Sequence, residues 1–595
     1  MAKTKPKPTM QLPAVIPQPT ALPTHPHQNL DRAIRAAVAK VTGVISPHAI
    51  THTWQDWAMH LARAPGRQLE LIERAQTNAL KLMAFGAGAW TGEKAAIRPP
   101  FAPKAYDHRF ADAAWDNPPF NIWKQGFLAV QDWWDHATDD IRGLQSQDAD
   151  RAQFQVRQML DLVSPSNFPL TNPQIIEATV RQHGQNLIEG AAHFTQDLVQ
   201  TLTQEHKPAP EGYQIGADLA CTPGKVVFRN DLFELIQYTP QTPKTHPEPI
   251  LFVPAWIMKY YVLDLSPENS MLNYLVQQGF TVFMISWCNP TADQADLSLE
   301  DYRKRGILAA MTVIGDLVPN QKIHANGYCL GGTLLAIAAA TMARDHDDRL
   351  ASVTLMAAQV DFLEAGELLL FVDESQVAFV EDMMWEQGYL DRPQMTRTFA
   401  SIRAEDLIYT RAVKRYFLGI EDLPSDIMVW NGDTTRMPAR MHSEYLRGLF
   451  LENRLTAGRF AVEGRVIALK DIALPMFVIG TETDHIAPWR SVYKTQLFTD
   501  CDLTFVLTNG GHNSGILSEP GHEGRRYRIA HRSSGAHYIG PDGWLAINDP
   551  TPGSWWPDYA DWLAGHSGKP AAPPKMGSLT HPALCDAPGT YVHQT

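Results

Sequence analysis

Cys329 stands in the run Gly327-Tyr328-Cys329-Leu330-Gly331-Gly332-Thr333, between the apolar stretch 323–328 and the apolar helix-like segment LLAIAAATMA. A strand, a Gly-x-nucleophile-x-Gly turn and a helix in this order present a side chain at a sharp bend. Positions two before and two after the nucleophile must then be small, and Gly327 and Gly331 meet that need. Gly332 lets the following helix approach the sheet, and its N-terminus favours negative charge on or beside the sulfur. The chemistry implied is nucleophilic acyl transfer through a covalent cysteine intermediate. Two further residues could complete it. Asp484 follows the strand-like PMFVIG in GTETDHIAPW, and His512 follows LTFVL in TNGGHNSG. An isolated Asp usually caps a helix or is solvated, and an isolated His is usually a satisfied polar residue. Three such residues in the order nucleophile, acid, histidine, each at a strand end, depart from both habits. His485 competes for the role of base, but as the neighbour of Asp484 it would point away, so His512 is preferred. His324, inside the strand before the bend, reads as packed.

The elements that must position these residues are short apolar runs at 249–254, 280–287, 323–328, 351–357, 475–480 and 503–507. Alternating with helical stretches, they predict a largely parallel sheet. With the bend at Cys329 this gives an α/β fold of the α/β-hydrolase type with a nucleophile elbow. The strand rhythm lapses over 362–451, where a helical lid or cap insertion is expected. Residues 31–205 form an all-helical N-terminal region. Within it Asn172-Pro173 caps a helix whose stripe is Ile176, Val180, His183 and Leu187. The first 30 residues carry seven prolines and read as a disordered arm. The expected organisation is thus arm 1–30, helical domain 31–205, catalytic domain 206–565 and a surface tail 566–595.

Composition narrows the function. A chain of 595 residues exceeds the usual single core, and its net charge of -13 argues against general nucleic-acid affinity. The longest apolar run, 334–343, is about half a membrane span, and the amino terminus lacks a signal-peptide pattern. A cytoplasmic protein without a transmembrane segment is expected. The five cysteines show no CxxC pairing, so neither a metal site nor a disulfide framework is expected.

Beyond these residues the sequence resembles the polyhydroxyalkanoate synthases, most closely their long single-polypeptide, class I form. The resemblance runs through HRFADAAWDNPPFN (108–121), GKVVFRNDLFELIQY (224–238), VPAWIMKYYVLDLSPENS (253–270), GYCLGGT (327–333), FVDESQV (371–377), WNGDTTRMP (430–438) and TDHIAPW (483–489). It implies polymerisation of (R)-3-hydroxyacyl-CoA thioesters into polyester with release of CoA, and it places the catalytic cysteine, aspartate and histidine on Cys329, Asp484 and His512. Asp484 would orient His512 or help activate the 3-hydroxyl. The oxyanion donors expected are the N–H of Leu330 and one from Trp256 or Ile257, and Trp430 and His485 are assigned to the substrate pocket. Coenzyme A enters as part of the substrate, and no separate cofactor is implied. The resemblance also implies a homodimer on polyester granules with phasins as neighbours. Met258 departs from the family, which usually has Asn there. Two other readings share the triad: a thioesterase or polyester depolymerase, and a granule-surface scaffold without catalysis.

Overall fold

The computed structural model describes residues 26–42, 45–91, 98–203, 210–421 and 423–595. Residues 1–25 of the expected arm lie outside this set, and Gln28 already opens a helix.

The N-terminal region is built from α1 (Gln28–Thr42), α2 (Pro47–Ala62), α3 (Pro65–Thr91), α4 (Phe120–Thr138), α5 (Ser146–Leu162), α6 (Pro173–Arg181) and α7 (Gln185–Thr203). Asn172 caps α6 by accepting from the N–H groups of Gln174 and Ile175. The expected stripe is not its buried face. Ile175 and Ala178 are buried whereas Val180 is exposed, and His183 and Leu187 lie beyond the end of α6 at Arg181. A small core of Phe110, Trp115, Phe127 and Leu160 joins α4 and α5, with Trp54 of α2 and Leu82 of α3 packed against it. Beside it Arg109 is buried between Asp107 and Asp161, at 2.8 Å from each.

The region from residue 210 onward carries one eleven-stranded sheet. Its strands in chain order are β1 (Gly224–Arg229), β2 (Phe233–Tyr238), β3 (Ile250–Val253), β4 (Val282–Trp287), β5 (Ile323–Tyr328), β6 (Leu350–Met356), β7 (Met476–Thr481), β8 (Leu503–Thr508), β9 (Arg526–Arg532), β10 (Thr551–Pro552) and β11 (Cys585–Asp586). Across the sheet the order is β10-β9-β8-β7-β6-β5-β3-β4-β2-β1-β11. The centre, β4-β3-β5-β6-β7-β8, is parallel and the flanks are antiparallel. Every residue of β3, β5, β7 and β8 is buried, as strands covered by helices on both faces must be. The order reverses beside β5, where a doubly wound sheet opens a crevice at its carboxyl edge.

One outcome differs from the expected organisation. The chain after residue 565 does not simply trail along the surface. Cys585–Asp586 adds β11 to the edge of β1, Val592 is buried, and Lys259 donates to the carbonyls of Tyr591 and Gln594. The insertion between β6 and β7 is helical, as expected, with a two-residue ribbon, Tyr389–Leu390 with Met437–Pro438, inside it and a short hairpin, Ala461–Val462 with Arg465–Val466, after it. The N-terminal helices brace it. From α5, Gln147 donates to the carbonyls of Leu369 and Val372, and Arg151 to those of Leu370 and Val372. From α7, Asn186 donates to the Phe417 carbonyl and Asp197 pairs with Arg415.

The buried Arg109 triad gives a direct test of what holds the N-terminal core. Burial has already raised the Asp161 carboxyl to about 6, against the pull of Arg109. Arg109→Met removes the cation both carboxylates need, and is expected to destabilise the protein by ~3–5 kcal/mol in thermal or chaotrope melts. A change below ~1 kcal/mol would contradict this assignment.

Candidate active site

The site is built from the elbow outward. Cys329 has φ 53° and ψ -126°, a left-handed backbone that costs a non-glycine residue of order 1–3 kcal/mol. Neighbouring backbone fixes it there: Cys329 N–H donates to the Met356 carbonyl at 2.9 Å, and its own carbonyl accepts from Gly332 at 2.9 Å. The glycines are required by contact. A Cβ on Gly331 would lie 2.1 Å from the Val253 carbonyl oxygen, one on Gly327 would lie 2.3 Å from Gly332 Cα, and one on Gly332 would lie 2.4 Å from the Ala358 Cβ. The helix Leu330–Arg344 starts one residue after the sulfur, so the Leu330 N–H has no acceptor within the helix.

The chain leaving β3 crosses directly over this elbow. The Trp256 carbonyl accepts from the Thr435 hydroxyl, and the Ile257 carbonyl accepts from Thr435 N–H at 3.1 Å. Because a trans peptide points its C=O and N–H in opposite directions, engagement of the Trp256 carbonyl aims the Ile257 N–H away from Thr435. Ile257 lines the cavity at Cys329 with Leu330, whereas Trp256 is buried beside it against Tyr302 and Tyr445.

Asp484 and His512 come from the loops after β7 and β8. His512 Nδ1 is 2.7 Å from Asp484 Oδ2, and both residues are buried. Asp484 Oδ1 accepts from the N–H groups of Ile486 and Ala487, each at 2.9 Å, and Thr481 donates to Oδ2. With Nδ1 engaged, the other ring nitrogen is left for the Cys329 sulfur, which is near enough to act on the charge of the imidazole. Burial opposes charge on both groups, but their mutual attraction prevails: Asp484 is held below the usual carboxylate range, and Asp484 and Cys329 hold His512 well above the usual imidazole value.

Above the sulfur lies a cavity of about 110 Å³. The elbow and the insertion line it, with Leu368, Phe371, Met395, His442, Tyr445 and Phe450 among its walls and no Asp, Glu, Lys or Arg. Sequence reading found the elbow face of this cavity but missed Gln359 in the loop after β6, and His442 and Tyr445 one turn apart on the helix Ala439–Tyr445. The WNGDTTRMP motif that precedes this helix was the nearest available signal.

Two residues expected in the pocket are elsewhere. Trp430 does not line the cavity; its indole donates to the Lys259 carbonyl at 2.8 Å and so steadies the loop that carries Ile257. His485 lines a separate groove of about 1020 Å³ between the N-terminal helices and the insertion, sharing Val372 and Phe450 with the cavity. Burial and then the Arg403 charge lower its pKa. Met258 bridges to Thr434. Among the described residues no group of three or more His, Cys, Asp or Glu could hold a metal ion.

Residues 106–275 match the family described as poly-beta-hydroxybutyrate polymerase (PhaC) N-terminus, residues 25–67 match poly-beta-hydroxybutyrate polymerase N terminal, and residues 248–518 match the alpha/beta hydrolase fold. The chain is 37% identical over 542 residues to the poly(3-hydroxyalkanoate) polymerase of Methylorubrum extorquens, covering 89% of each chain. It is 35% identical over 502 residues to the poly(3-hydroxyalkanoate) polymerase subunit PhaC of Cupriavidus necator, covering 82% of this chain and 83% of that one. Among solved structures, a monoacylglycerol lipase of Paleococcus ferrophilus aligns over 56% of this chain and 99% of its own at 12% identity and a TM-score of 0.32.

The ion pair sets a pH window for stability. The depressed Asp484 pKa contributes stability that is present above about pH 4 and lost as pH falls through its folded value. The raised His512 pKa contributes stability that is complete below about pH 6.5 and lost as pH rises through its folded value. Asp484→Asn removes both contributions. The stability difference between wild type and variant is therefore expected to be largest between about pH 4 and 6.5 and to shrink on either side. A difference constant from pH 4 to 9 in chaotrope titrations would contradict the pairing.

Proposed function

This chain belongs to the poly(3-hydroxyalkanoate) polymerase family, whose members are acyltransferase-type enzymes, and from that membership we propose that it polymerises (R)-3-hydroxyacyl-CoA through an acyl thioester on Cys329. The observation that carries the mechanism is the Asp484–His512 hydrogen bond at 2.7 Å, with Cys329 beside the same imidazole and an apolar, uncharged cavity at its sulfur.

In this reading His512 accepts the Cys329 proton as the sulfur adds to the thioester carbonyl of the substrate. Asp484 holds the imidazole and balances its positive charge. The oxyanion is met by the N–H of Leu330, at a helix N-terminus, and by the N–H of Ile257 from the crossing loop. Collapse expels the CoA sulfur, which leaves with the proton held by His512. The 3-hydroxyl of the next substrate then attacks the acyl thioester. Its proton passes to His512, an ester bond forms, and the Cys329 sulfur is released and reprotonated. The lengthened CoA ester can acylate Cys329 again.

Cys is suited to this cycle because exchange between two thioesters is nearly balanced, so the acyl group is passed on. The insertion supports transfer over hydrolysis, since its apolar residues cover the sulfur and leave Cys329 buried. Among the described residues no helix is long and apolar enough to cross a membrane. The expected setting is that of the family reading, a homodimer in the cytoplasm on the polyester granule surface with phasins as neighbours.

Cys329→Ala is expected to lower CoA release from 3-hydroxybutyryl-CoA by roughly 10⁴-fold or more while leaving the melting temperature near wild type. Wild type should yield CoA together with insoluble polymer. Free 3-hydroxy acid as the sole acyl product would make the protein a hydrolase, and undiminished CoA release by the variant would remove Cys329 from the mechanism.

A further inference from the structure

The cavity above Cys329 is apolar except at a few places, and two of these hold polar atoms that none of the described residues satisfies. Gln359 Oε1 and His442 Nδ1 are both buried without a hydrogen-bond partner, and each residue is more than nine-tenths buried. They sit on opposite structural units. Gln359 belongs to the core: its carbonyl accepts from Thr333 on the first turn of the elbow helix at 2.8 Å, and its neighbour Ala358 packs against Gly332. His442 belongs to the insertion, on the helix that also brings Tyr445 to the cavity. Thr333 and Thr398, also at the cavity, already donate to backbone carbonyls. The uncharged walls suit a neutral acyl or polyester group and not the phosphates of CoA.

Orphaned polar atoms in an apolar wall are unfavourable unless a ligand completes them. On the proposed function, the group delivered to this cavity is a 3-hydroxyacyl chain, which carries one oxygen at C3 besides its thioester carbonyl. We propose that Gln359 and His442 together recognise this C3 oxygen as a free hydroxyl, and so select 3-hydroxyacyl groups over plain acyl groups. A hydroxyl can donate to Gln359 Oε1 and accept from an imidazole N–H at Nδ1. Burial pushes the His442 pKa down to about 4, so the ring is neutral at pH 7 and can carry its N–H at Nδ1. Because one residue lies on the core and the other on the insertion, an acyl group bound between them would also tie the roof to the elbow.

The test compares single-turnover CoA release from 3-hydroxybutyryl-CoA with release from butyryl-CoA, which lacks only the C3 oxygen. The variants are Gln359→Met and His442→Phe, which keep approximate size, and His442→Asn, which returns a hydrogen-bonding atom near Nδ1. Wild type is expected to favour the hydroxy substrate by at least about tenfold, the strength of one to two good hydrogen bonds. Gln359→Met and His442→Phe should each bring that ratio down several-fold, chiefly by slowing the hydroxy substrate, and His442→Asn should restore part of it. An unchanged ratio would overturn the proposal and assign the two orphans to bound water. Loss of both substrates alike would also overturn it, by placing these side chains in the fold. Absence of transfer from either substrate in wild type would instead refute the acyltransferase reading on which the proposal rests.

Discussion

The structure depends on one close approach: the backbone of Gly331 lies against the carbonyl groups of Val253 and Pro254. With no side chain at Gly331, the end of β3 can press onto the first turn of the elbow helix, and the same contact brings the Ile257 loop beside the sulfur. Gly327 and Gly332 close the other sides of the bend, against each other and against Ala358. The left-handed backbone of Cys329 is held by these contacts and by hydrogen bonds to β6 and the elbow helix. Strain at Cys329 is thus sustained by the most buried part of the parallel sheet.

Support for the site continues outward. Loops after β7 and β8 deliver Asp484 and His512, and backbone N–H groups of Ile486 and Ala487 fix the carboxylate. Trp430 and the C-terminal residues steady Lys259, two positions after Ile257. The N-terminal helices hold residues 369–372 of the insertion by side chain to backbone hydrogen bonds. A change in α5 would therefore reach the cavity through Val372, which borders both it and the outer groove.

What could be read from sequence follows from burial. Six central strands were recognisable because a strand covered on both faces is a continuous apolar run, and the elbow because its glycines answer local contacts. The flanking strands were harder. In β9, RYRIAHR, three arginines interrupt the apolar residues, so no continuous apolar run marks the strand, and β11 is only two residues long. The face that α6 buries was misjudged because Ile175 and Ala178, not the bulkier Val180, meet the neighbouring helices. Trp430 has the composition of a pocket residue but packs behind the loop. His442 was invisible because no local pattern states which side of a helical insertion will face a sulfur more than a hundred residues earlier in the chain, and Gln359 because nothing local marks one residue of the loop after β6 as facing that sulfur.

The account is tested most directly by locating the acyl group during turnover. Wild-type protein mixed with 3-hydroxybutyryl-CoA, quenched in acid and mapped by peptide mass spectrometry should carry one or more 3-hydroxybutyryl units as a base-labile adduct on the peptide containing Cys329. An adduct on another cysteine, or steady polymer formation with Cys329 free at every quench time, would contradict it.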